Sequence, residues 1–123
     1  MPSRTRNDAI GGSYAMAAVD YLAGYVATSP RFTGINPFAV RQLLAGRVEE
    51  RRVLGVAPGA TSTQVVNDLL GAYQAFRRRD LDGARAALPA EVFTLGPDRT
   101  ILILANLPPM PVAAGALSAI AAQ

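Results

Sequence analysis

The chain contains no cysteine, no histidine, no lysine and no tryptophan. Without cysteine or histidine there is no thiol nucleophile, no thiolate or imidazole metal ligand, and no triad built on an imidazole base. Without lysine, Schiff-base chemistry and the lysine of a phosphate-binding P-loop are excluded too. The missing cysteines leave the redox compartment open, since they suit a reducing and an oxidising environment equally. Acidic residues are few, nine Asp and Glu against twelve basic residues that are all Arg. Glu49 and Glu50 are adjacent and so diverge around a helix, and each has an Arg three residues away. No local pair of carboxylates converges for acid–base work or metal binding. The expectation is no catalytic residue, no metal site and no cofactor.

Long hydrophobic runs are also missing. The tail from Ile101 to Gln123 carries no charged side chain, but Asn106 and the prolines at 108, 109 and 111 divide it. The pieces are too short to cross about 30 Å of hydrocarbon, so no membrane span is expected. No secretory signal is visible. The start, Met1-Pro2-Ser3-Arg4-Thr5-Arg6, is polar, and Asp20 interrupts the apolar stretch behind it. This favours the cytoplasm and leaves an exported mature form open.

What is present fits a globular protein. The chain has 123 residues and is half hydrophobic. That suits one domain, residues 1–123, able to bury a core without disulfide or metal staples. The formal charge of +3 is ordinary for solubility, and the pI near 10.0 reflects how high arginine titrates. A nucleic-acid binder would show a denser basic face, so nucleic acid is not the expected partner. A chain rich in Ala, Gly, Val and Arg and devoid of Lys points to a GC-rich bacterial genome.

The pattern predicts a mainly α domain of four to five helices with one late β-hairpin. Residues 1–7 read as flexible. The first helix runs from about Asp8 to Ala27 with Asn7 as N-cap. Ile10, Tyr14, Ala18, Tyr21, Leu22 and Tyr25 share one face, which reads as core. Asp20 lies about 100° around the helix from Tyr21 and faces water in this reading. After a loop from Ser29, Asn36-Pro37 opens a second helix, with Val40, Leu43, Leu44 and Val48 inward and Gly55 as its C-terminal stop. Thr61 and Gln64 have capping-box spacing for a third helix. Its apolar stripe is Val65, Leu69, Tyr73 and Phe76, widened by Val66 and Leu70. A short fourth helix, Leu81 to Leu88, is capped by Asp80 and stopped by Pro89. Then Val92 to Leu95 and Thr100 to Leu104 read as strands around Pro97-Asp98, giving a hairpin over 91–104. A Pro-rich connector, 105–111, leads to a short last helix over 112–122, packing through Val112, Leu117 and Ile120.

The segment from Leu70-Gly71-Ala72-Tyr73 through Asp80-Leu81-Asp82-Gly83-Ala84-Arg85-Ala86-Ala87-Leu88 resembles part of a tetratricopeptide helical pair. It occurs once, and such repeats need neighbours to bury their faces. The resemblance therefore implies a local helix–turn–helix and no repeat architecture.

Several groups invite a functional reading. Arg77, Arg78 and Arg79 can grip phosphate or an acidic partner; a solvated helix end, with positive charge offsetting the dipole, is the more ordinary account of such a run. Gly55 to Thr63 precedes a helix like a phosphate loop but lacks the Gly-Lys-Ser/Thr ending. Tyr14, Tyr21 and Tyr25 can line a ligand pocket, since tyrosine joins an apolar ring to a polar tip. Pro108 to Pro111 has P-x-x-P spacing, suited to a proline-reading domain or to a stiff connector. The doubly apolar second strand, with Ile101 and Ile103, needs cover on both faces. Together these point to a non-catalytic helical interaction or assembly module, self-associating through that strand or the uncharged tail, or binding another protein. Two alternatives are a small helical enzyme or anionic-ligand binder with an Arg/Tyr/carboxylate pocket, and a weak nucleic-acid binder through the Arg cluster.

Overall fold

The computed structural model describes residues 8–28 and 37–121. The expected flexibility of 1–7, the caps at Asn7 and Asn36 and the loop from Ser29 lie outside them. Six helices occur among the described residues: α1 Ala9–Thr28, α2 Pro37–Leu54, α3 Ser62–Arg77, α4 Leu81–Ala86, α5 Pro97–Ala105 and α6 Pro111–Ala121. Helix α1 packs on α3, α2 and α5; α6 lies along α2, and α4 rests on α3 and α5. None of these helices is long and apolar enough to cross a membrane.

Local chemistry accounts for the boundaries. At the start of α1, Asp8 Oδ1 accepts from Gly11 N at 2.9 Å, an N-cap arrangement one residue on from the expected Asn7. The capping box of α3 is complete: Thr61 Oγ1 accepts from Gln64 N, and Gln64 Oε1 accepts from Thr61 N. Asp80 Oδ1 accepts from Gly83 N and opens α4. Gly55 ends α2 at φ +66°, where Val56 N donates back to Arg51 O. Helix α6 is capped from across the interface, by Glu49 Oε1 accepting from Ala113 N at 2.9 Å.

The hairpin is not present. No strand occurs among the described residues, and the extended pairing there is a lone antiparallel bridge between Val56 and Phe93. Residues 97–105 form α5 instead. The central dihedrals of a type I turn nearly match the first turn of a helix, so Pro97-Asp98 starts a helix as readily as it reverses a strand. Pro97 stands at the first helical positions, and Thr100 Oγ1 donates to Gly96 O at 2.7 Å. Ile101 and Ile103 are half-buried against the core, Thr100 and Leu104 are buried, and Leu102 is 64% exposed.

Two inward faces also differ from expectation. Helix α2 buries Ala39, Leu43, Gly46, Glu50 and Leu54, while Val48 points outward. The small residues decide this, because Gly46 lets α6 approach: a Cβ there would lie 3.1 Å from Ala113 Cα. Helix α1 buries Ser13, Met16, Ala17, Val19, Asp20 and Ala23 and turns the tyrosine stripe outward. In α6, Ala113 and Ala116 are buried, while Val112 is exposed. Phe93, Leu54, Leu69, Leu88 and Leu104 centre the main core; Ala23, Leu43 and Ala116 form a smaller one between α1, α2 and α6.

Candidate functional site

Two features stand apart from ordinary packing: a buried ionic cluster among α1, α2 and α3, and the uncovered face of α1 beside α3. The cluster begins with Asp20, which is fully buried rather than in water. Arg51 grips it with two hydrogen bonds, Nε to Oδ2 at 3.0 Å and Nη2 to Oδ1 at 2.8 Å. Ser62 Oγ donates to the same Oδ1 at 2.7 Å, and Arg47 Nη1 donates to Ser62 Oγ at 2.9 Å. Arg51 Nη1 completes the ring with Ala60 O at 2.7 Å, just before the α3 cap. The geometry is bidentate and saturated, which is what a buried carboxylate needs to stay ionised. Burial raises the Asp20 carboxyl, but hydrogen bonds from Arg51, Glu50 and Ser62 outweigh it and hold the group below its usual range.

Glu50 behaves in the opposite way. It is fully buried, and no donor reaches either of its oxygens. Burial, then the hydrogen bond and the charge of Asp20, push its carboxyl up to about 10. At neutral pH Glu50 is therefore a neutral acid donating toward ionised Asp20. The expected divergence of Glu49 and Glu50 holds, with a result the sequence did not suggest: one caps α6 and the other enters the core. A charged residue on the inward arc of α2 beside Leu43 and Leu54 is the one signal that could have exposed this.

Grooves of about 400, 320 and 480 Å³ occur along α1, and neither Asp20, Glu50 nor any arginine lines them. The first runs between α1 and α3, lined by Tyr14, Ala17, Tyr21, Leu22, Val66 and Leu70. The second continues it past Tyr21 and Val66 to Tyr25 and reaches the cluster at Ser62. All three candidate tyrosines therefore border one surface. Tyr14 is 57% and Tyr21 52% exposed, and Ile10 extends the stripe at 41%. Tyr14 packs against Tyr73 with ring centroids 5.3 Å apart, and Tyr21 against Tyr25 at 5.9 Å. From Ala9 to Thr28 the single charged residue is Asp20, and it is buried, so the outer side of α1 carries no charge.

The remaining candidates are dispersed. Arg77, Arg78 and Arg79 close α3 in solvent; Arg77 lies 5.6 Å above the Tyr73 ring, Arg78 reaches Asp80 at 3.8 Å, and Arg79 adopts φ +59°. Ile101 and Ile103 sit on α5 and do not join the tyrosine face. Among the described residues, no three acidic side chains come together as a metal site would require. No family model, curated protein or solved structure matches this chain.

Proposed function

We propose that the chain is a non-catalytic helical assembly module that self-associates through the α1/α3 face. The observation that carries this reading is the charge-free outer stripe of α1. A helix apolar on all sides is normally covered, and this one leaves two tyrosines and an isoleucine half open. Contiguous apolar surface of this kind marks contact sites. Tyrosine suits such a surface, with a large rigid ring and a hydroxyl that tolerates water.

The partner in this reading is a second copy. In a two-fold interface both copies use the same patch, so a net charge across it would repel itself; the outer side of α1 carries none, and Arg77 stands at the rim over Tyr73. The open halves of Tyr14 and Tyr21 amount to about 100 Å² each. Ile10, 41% exposed, extends the face beside them. A face of this modest size lies at the low end of specific interfaces, so the pairing in this reading is weak and concentration-dependent.

The test is a dilution series followed by light scattering on three proteins: wild type, Tyr21→Glu on the face, and Val48→Glu on the open side of α2. Wild type and Val48→Glu should approach dimer mass together, while Tyr21→Glu weakens association at least tenfold by burying a charge. Equal behaviour of the two Glu variants would remove the α1/α3 face from the account.

A further inference from the structure

The stripe on α1 has an internal symmetry that specifies how two copies meet. Tyr14 and Tyr21 lie equally far along the chain from the midpoint between Ala17 and Ala18, and so do Ile10 and Tyr25. At 100° per residue, Ile10, Tyr14, Ala18, Tyr21 and Tyr25 all fall within an arc of about 80°. The stripe therefore reads large, large, small, large, large from either end. Its low point, half-buried Ala18, lies at the centre, where a neighbouring helix axis can approach most closely.

We infer that two copies pair through α1 in antiparallel sense about a two-fold axis at Ala17–Ala18, setting Tyr14 of each copy against Tyr21 of the other. The inference rests on the proposed self-association and adds its register and direction. A parallel pairing would set each tyrosine against its own counterpart and forgo the match of ring against groove. In the antiparallel pairing each Tyr21 ring meets the partner's groove at the end where Tyr14 and Leu70 line it. Both copies use the same residues, as a closed two-fold interface requires, and the assembly stops at two. A helix from an unrelated protein would need no such palindrome.

The absence of cysteine makes this directly testable, because any introduced thiol is the only one in the chain. Ala18→Cys keeps every tyrosine and lies next to the axis. Under mild oxidation it should form a disulfide dimer, since the pairing brings its Cα within the 4.4–6.8 Å or so that a disulfide spans. Val48→Cys on α2 should stay monomeric in the same conditions. Mixing isotopically labelled Tyr14→Cys with unlabelled Tyr21→Cys should give mixed disulfides in excess over either homodimer. Homodimers of Tyr14→Cys in excess would overturn the antiparallel direction. No disulfide from Ala18→Cys, while wild type still doubles its mass, would overturn the register and leave self-association standing. A wild type that stays monomeric throughout would overturn both and leave the groove to another occupant.

Discussion

The carboxyl of Glu50 has no donor within reach and lies beside an ionised Asp20, so the fold holds it protonated. Its value in the fold, about 10, is above the ordinary 4.5. The stability it contributes is therefore full below about pH 4.5 and falls as pH rises toward 10. Asp20 has the opposite sign: held low, it stabilises above the ordinary carboxylate range and loses that contribution in acid. Glu50→Gln copies the neutral acid, with an amide that still donates to Asp20. Urea melts between pH 5 and 9 should show wild type losing on the order of a few kcal/mol over that range. Glu50→Gln should stay nearly flat and be the more stable protein at pH 8. A parallel decline in both would mean that Glu50 is ionised in the fold. Asp20→Asn strands the Arg51 guanidinium and should cost about 3 kcal/mol or more at pH 7, read from the same melts.

At the level of elements, close approaches and borrowed caps hold the helices in place. A Cβ at Gly12 would collide with the carbonyl oxygen of Leu104 at the end of α5. Gly12→Ala should therefore destabilise by about 2 kcal/mol despite the better helix propensity of alanine, as thermal unfolding would show. Glu49→Ala removes the cap of α6. About 1 kcal/mol should be lost, with faster hydrogen exchange concentrated at the amides near Ala113. The caps at Thr61 and Asp80 were legible in the sequence because each is local, a side chain three residues from its donor. The α6 cap was not, since Glu49 lies 64 residues from Ala113. Helix α5 was missed because its apolar run satisfies both periods and Pro97-Asp98 suits both a turn and a helix start. The inward face of α1 differs from the expected one for a related reason: with alanine and glycine on every side, the apolar period does not single out one face. Small residues chose it, as Ala17, Ala23 and Gly24 let α1 lie close to its neighbours, and a Cβ at Gly24 would be 2.8 Å from Ser62 Oγ.

For the whole molecule, the same choice has a consequence. By packing α1 through its small residues and one saturated ion pair, the fold leaves Tyr14 and Tyr21 of that helix outside. The Asp20–Arg51–Ser62 ring ties α1 to α2 and to the start of α3, which fixes the orientation of the exposed stripe. Self-association stabilises by mass action, so melting temperature should rise with protein concentration in wild type and not in Tyr21→Glu. The most direct test of the account is sedimentation equilibrium of the wild-type chain from micromolar to millimolar concentration. The account predicts an average mass that climbs from 12.9 kDa toward twice that value and stops there. A mass fixed at 12.9 kDa across the whole range would contradict it.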